Sequence, residues 1–156
     1  MPTTYRLTPT EHVTIVSRDP GALVAEVRYG PAGSPPPPHL HPAQDEHFEV
    51  LAGEVIVELA GTRHTLTAGQ TIDIPRRTAH QMFNAHPTDE ARVRWTTTPA
   101  LRTEEWWAAL DRLEAKPTLV SFAPLLREYR DVFRLTAPPQ WIAQPLFAAL
   151  SVGRKA

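Results

Sequence analysis

An all-β fold is the class this sequence predicts, and three observations predict it. Between His12 and Thr98, short runs alternate apolar and polar residues with a period of two, the pattern of strands with one buried face. Turn residues punctuate those runs at hairpin spacing: Asp19-Pro20-Gly21, Ala52-Gly53-Glu54, Ala60-Gly61-Thr62 and Ala68-Gly69-Gln70. Seventeen prolines and seven glycines among 156 residues supply the many breaks such a fold needs. Eight to ten short strands at this spacing make a sandwich or a barrel.

Met1 to Thr10 is polar and reads as a loose arm or a short edge strand. His12 to Ser17 is the first clear strand. Ala22 to Tyr29 is the cleanest, with Leu23, Ala25, Val27 and Tyr29 on one face and Glu26 and Arg28 on the other. Gly30 to Pro38 is a Gly/Pro loop whose four consecutive prolines stiffen the approach to His39. Strands follow at His47 to Leu51, Val55 to Ala60, Arg63 to Thr67, Thr71 to Pro75, His80 to His86 and Arg92 to Thr98. The pattern changes at Pro99. Thr103 to Ala115 reads as a helix capped by Thr103, with Glu104 and Glu105 in its first turn. Ser121 caps a second helix, with Phe122, Leu125, Leu126, Tyr129 and Phe133 on one face. Gln140 to Val152 is a third apolar segment. The division is a barrel over 1–100 and a helical extension over 101–156, packed on the barrel or on a dimer partner.

One stretch carries chemistry. Gly33 to Gly53 holds His39, His41 and Glu46 within eight residues. In an extended strand His39 and His41 point the same way, and Glu46 begins the next strand after a short turn. Two imidazoles and a carboxylate converging there form a three-point chelate, with His80 a fourth ligand candidate from a later strand. With no cysteine in the chain, a metal must sit on imidazole and carboxylate, which suits Fe, Mn, Ni, Cu or Zn.

The spacing Gly33-x5-His39-x-His41-x4-Glu46-x6-Gly53 resembles the first motif of the cupin superfamily. Gly69-x5-Pro75-x-Arg77-x2-His80-x3-Asn84 resembles the second, with Arg77 where the family has Gly. The resemblance implies a small double-stranded β-helix, or jelly-roll barrel, with one divalent metal in its mouth on His39, His41, Glu46 and His80. It implies a metal-dependent enzyme on a small organic molecule, most readily a dioxygenase-like oxidoreductase on an enol or phenol, with Glu46 taking part in catalysis. Related cupins also include non-redox cyclases, isomerases and lyases, and small-ligand binders without turnover. Tyr29, Phe48, Met82 and Trp95 face inward as pocket walls, and Arg77 stands near the mouth to meet an anionic group. Asn84 is expected to brace the barrel through hydrogen bonds.

Composition narrows the partners. A net charge of −1 gives no case for a nucleic-acid surface. No apolar run reaches the length of a membrane-spanning helix, and the first residues lack the pattern of a signal peptide, so a cytoplasmic protein is expected. A homodimer is expected because open sheet edges invite pairing.

Overall fold

The computed structural model describes residues 1–113 and 117–137. In chain order the strands are β1 (Thr4–Thr8), β2 (Glu11–Asp19), β3 (Ala22–Tyr29), β4 (His39–Leu40), β5 (Asp45–Ala52), β6 (Glu54–Leu59), β7 (Thr62–Thr67), β8 (Thr71–Ile74), β9 (His80–Phe83) and β10 (Ala91–Thr98). Helices α1 (Thr103–Asp111) and α2 (Leu119–Glu128) follow, then a short strand β11 (Arg134–Leu135). Two antiparallel sheets face each other as a jelly-roll barrel. One has the order β1-β2-β3-β10-β5-β8 and the other β11-β4-β9-β6-β7.

The alternation in the sequence sets which face is buried. On β3, Leu23, Ala25, Val27 and Tyr29 are buried while Arg28 is exposed. On β10, Ala91, Val93, Trp95 and Thr97 are buried between exposed arginines. Their ladder pairs Trp95 with Ala25 on one side and with Phe48 on the other, so large and small side chains alternate across the core. The residues before Thr10 form an edge strand, β1, paired with β2. The first strand of the sequence reading starts one residue earlier than its alternation suggested, at Glu11.

Of the residues with a left-handed backbone, Gly53 and Arg77 bear on the barrel's ends. At Gly53 (φ +76°) a Cβ would lie 2.5 Å from the Glu90 carbonyl oxygen, so only glycine fits. Arg77 adopts φ 64° without being glycine, while its N–H donates to the His41 carbonyl at 2.8 Å. That conformation costs an L-residue roughly 1–2 kcal/mol, offset in part by the greater unfolded-state freedom of glycine. Arg77→Gly should therefore stabilise the barrel by about 0.5–1 kcal/mol, read as a higher chemical-denaturation midpoint at unchanged slope.

The described residues of the extension pack on this chain's own barrel. The Tyr5 hydroxyl donates to Glu104 at 2.9 Å, Arg18 pairs with the same carboxylate at 2.7 Å, and the Arg6 backbone N–H donates to Asp111 at 2.8 Å. Buried Gln44 donates to the carbonyls of Pro99 and Ala100, each at 2.9 Å, and to the Thr103 hydroxyl at 2.6 Å. Thr103 thus does not cap α1. It lies inside the first turn, and its hydroxyl is held by Gln44. Thr118, not Ser121, is the N-cap of α2, and Ser121 completes the capping box three residues on. Trp106 and Trp107 of α1 join the barrel core, and Phe122 and Tyr129 pack on Trp106 with centroids 6.4 and 5.5 Å away. Phe133, expected on the helix face, lies beyond α2 and leads into β11, which pairs with β4. The third apolar segment, Gln140 to Val152, lies outside the described residues. Among the described residues, no helix is long and apolar enough to cross a membrane.

Candidate metal centre

Three strands and one loop position the cluster. His39 stands on β4 and pairs directly with His80 of β9. His41 immediately follows β4, and Glu46 lies near the start of β5. Ligand atoms of His39, His41 and His80 all lie within 4.8 Å of one another. The Glu46 carboxylate enters the same space: Oε1 is 3.1 Å from His41 Nε2 and Oε2 is 2.9 Å from His80 Nε2. Glu46 is 2% exposed and His80 4%, so bulk water does not reach them freely. The structure thus groups His39, His41 and His80, with the Glu46 carboxylate against His41 and His80.

Each imidazole is locked in one orientation by its far nitrogen. Nδ1 of His39 bonds the Pro37 carbonyl at 3.0 Å, Nδ1 of His80 the Thr78 carbonyl at 2.9 Å, and Nδ1 of His41 the Val132 carbonyl at 2.6 Å. A carbonyl only accepts, so each Nδ1 must carry a hydrogen, and a neutral ring then presents its lone pair at Nε2. Metal-binding histidines are oriented by such contacts. The Val132 carbonyl comes from the segment after α2, which no side-chain pattern in the sequence could reveal. Phe133 beside it stacks on His39 at 4.7 Å and on Trp106 at 4.7 Å.

The chemistry of the donor set fits a divalent ion. Two ligands at right angles, each about 2.1 Å from a shared ion, lie about 3.0 Å apart, matching the His–Glu separations here. Despite that closeness, His41 Nε2 and Glu46 Oε2 are buried without an aligned hydrogen-bond partner among the described residues. Such orphaned atoms are costly unless something between them satisfies both. Burial alone would raise the Glu46 carboxyl, but His41 and His80 hold it well below the usual range. Burial, then the neighbouring His80 and His41, push His39 well down. Burial also works against a charged His41, yet Glu46 and the Val132 carbonyl raise it.

A cavity of about 240 Å³ opens beside the cluster. Tyr29, Phe48, Met82 and Trp95 all line it, as do Trp106 and Trp107 from the extension. Arg77 does not: its side chain is exposed and is absent from that wall, because the left-handed turn directs it outward. Arg76 is taken by Asp45, which accepts from its guanidinium at 2.8 Å and from its backbone N–H at 2.9 Å. Asn84 is a brace. It donates to the carbonyls of Tyr29, Gly30 and Asp89 and accepts from the His86 N–H, tying the loop between β9 and β10 to the end of β3.

Trp95 has a second task. Its Nε1–H donates to Glu46 Oε1 at 3.0 Å, fixing the plane of the carboxylate. Trp95→Phe keeps the ring packing and removes that donor. It should weaken metal binding by roughly 10–100-fold, the range for losing an outer-shell partner, with little change in melting temperature. Competition against a chromophoric chelator measures the first and calorimetry the second.

Comparison with known proteins agrees with this geometry. Residues 25–97, the span from β3 to β10 that holds all four side chains, match the family model described as a cupin domain. This is a cupin barrel. Among curated proteins, the cupin is 36% identical to germin-like protein 3-5 of Oryza sativa subsp. japonica, over 47% of this chain and 35% of that protein. It is 32% identical to oxalate oxidase GF-2.8 of Triticum aestivum, over 47% of this chain and 36% of that one. The chain thus spans about a third of the length of the curated relatives it matches. Among solved structures, KdgF from Halomonas sp. superposes with a TM-score of 0.59 at 24% identity, covering 65% of this chain and 90% of that one. An RmlC-like cupin from Shewanella frigidimarina gives 0.58 at 18% identity, covering 66% and 88%. Those likenesses concern the fold.

Proposed function

We propose that this cupin binds one divalent transition metal through His39, His41, Glu46 and His80. With it the protein acts on a small organic molecule as a dioxygenase-like oxidoreductase whose substrate is an enol or phenol. The observation that carries the reading is the convergence of three Nε2 atoms and one buried carboxylate, with every imidazole Nδ1 already held by a carbonyl. A bound ion would polarise a substrate oxygen and, if redox-active, couple the substrate to O₂. Four protein ligands leave about two positions on an octahedral ion for that purpose.

The cavity walls favour a conjugated, weakly acidic substrate. Phe48, Met82, Trp95 and Trp107 offer apolar faces suited to a flat ring or enol. Arg6 also lines the chamber, but its guanidinium is spent on the carbonyls of Asp111 and Leu113. Among the described residues no side-chain cation of the wall is free to meet the second carboxylate of oxalate, the dianion named in the cereal relatives. A phenol loses one proton and keeps an apolar body. Elemental analysis of the purified protein, combined with an oxygen-uptake screen over enols and catechols, tests the reading. Iron, nickel, manganese or copper with oxygen consumption supports it. Zinc without uptake moves the chemistry to Lewis-acid isomerisation, cyclisation or elimination. A protein that takes no metal is left as a small-ligand binder.

A further inference from the structure

Two polar side chains of the cavity take no part in the histidine cluster. Glu11 opens β2, where Val13 and Ile15 are buried, so it shares their inward face two residues earlier. Its partner across the β2–β3 ladder is Tyr29, whose phenol stands close enough to the carboxylate to favour its charged form. Both residues line the 240 Å³ chamber. Both also line a wider groove of about 1010 Å³ walled by the prolines at 35–38. The pair stands where the two cavities meet.

An enol or phenol that ionises in this chamber releases a proton that must be received. Glu46 is committed to the cluster: Trp95 donates to its Oε1, and His41 and His80 stand 3.1 and 2.9 Å from its oxygens. Among the described residues, Glu11 is the other acidic side chain on the chamber wall. We propose that Glu11, oriented by Tyr29, is the proton acceptor of the chamber and discharges to water in the outer groove. The substrate O–H bond breaks, its electron pair stays on the substrate oxygen, and a new O–H bond forms on the Glu11 carboxylate. The proton then returns to product or leaves through the groove. The substrate class rests on the proposed function; the position of the pair does not.

The electrostatics agree. Burial lifts Glu11 to about 7, against the hydrogen bond from Tyr29, which lowers it. Burial, then Glu11 and Glu46, push the Tyr29 phenol well up, so it stays a donor. Charged groups on the adjoining strands are turned elsewhere: Arg6 of β1 to the carbonyls of Asp111 and Leu113, Arg28 of β3 to Glu90 at 3.5 Å, and Glu26 to Arg94 at 3.1 Å. A carboxyl balanced near neutrality can both take and return a proton. Because the folded value lies above the ordinary 4.5, the contribution of Glu11 to folding stability should fall as pH rises from 4.5 to about 7. Glu11→Gln should flatten that decline.

The test compares wild type, Glu11→Gln and Tyr29→Phe, each loaded with zinc, using 4-nitrocatechol, whose colour reports how many protons it has lost. Wild type should bind it as the dianion, with affinity that steps through about pH 7. Glu11→Gln should keep its zinc, measured by metal analysis, yet bind about tenfold more weakly near pH 8. Tyr29→Phe should move the step upward, because Glu11 loses the hydrogen bond that lowers it. Equal affinity and the same spectrum in Glu11→Gln overturn the proposal. Failure of wild type to load zinc counts against the metal reading instead. Glu11 is then judged in metal-free protein by carbon-13 NMR titration of its carboxyl. A midpoint near 7 that rises in Tyr29→Phe upholds its role, and one near 4.5 overturns it.

Discussion

His41→Ala should lose its metal while the barrel stays folded. His41 is the ligand candidate with the most support: Nε2 faces Glu46, and Nδ1 makes a 2.6 Å contact with the Val132 carbonyl. Truncation removes a ligand and leaves that buried carbonyl without its donor. Loss of an outer-shell partner alone costs roughly 10–100-fold in metal affinity, so loss of the ligand should cost more than about 100-fold. The fold should survive, because the ladders around the site have apolar faces of their own, with Val27, Val55, Val57 and Val93 fully or almost fully buried. Circular dichroism should overlay with wild type, and metal analysis after dialysis should show an empty protein. A variant that emerges from dialysis with full occupancy removes residue 41 from the ligand set. His41→Gln separates two effects, since its amide can still donate to Val132 but is a poor ligand. It should fail to hold metal and keep more stability than the alanine variant.

The sequence carried the parts of this molecule that repeat. Ala22–Tyr29 and Ala91–Thr98 follow a period of two with one buried face, so their inward residues are readable from the alternation, the second strand starting one residue before the Arg92 it suggests. The four residues of the candidate centre could be picked out because imidazole and carboxylate at those spacings have few other uses. What escaped has physical causes. Glu11 was missed because a carboxylate ends an apolar alternation; carried one step back from Val13, that alternation places Glu11 inside, opposite Tyr29. The Val132 contact was missed because it is made by a backbone carbonyl, which every residue has. Thr103 carries the residue type of a cap, but a buried Gln44, invisible to local reasoning, takes its hydroxyl. Arg77 was placed near the mouth by spacing, and its positive φ then turned the side chain away.

Trp107→Ala should cost the whole barrel stability, and so decide whether the extension is an appendage or part of the core. Trp107 is 1% exposed, and its ring meets Trp95 with centroids 4.8 Å apart. Trp95 in turn stacks on Phe48 at 5.3 Å and donates to Glu46. A helix outside the sequence motifs therefore backs the side chain that orients the candidate ligand. Replacing a buried tryptophan with alanine costs about 3–5 kcal/mol, which for a domain of this size lowers the melting temperature by roughly 10 °C. The loss should appear as one cooperative transition, because Trp106, Trp107 and Tyr129 belong to the same apolar cluster as Val27 and Phe48. Trp107→Phe, which keeps an aromatic face against Trp95, should recover part of it. An appendage would behave differently: the main transition would stay where it is in wild type, and only a small early loss of helical signal would appear. A single downward shift accompanied by weaker metal retention would show that the chain after Pro99 is built into the barrel and holds its mouth in shape.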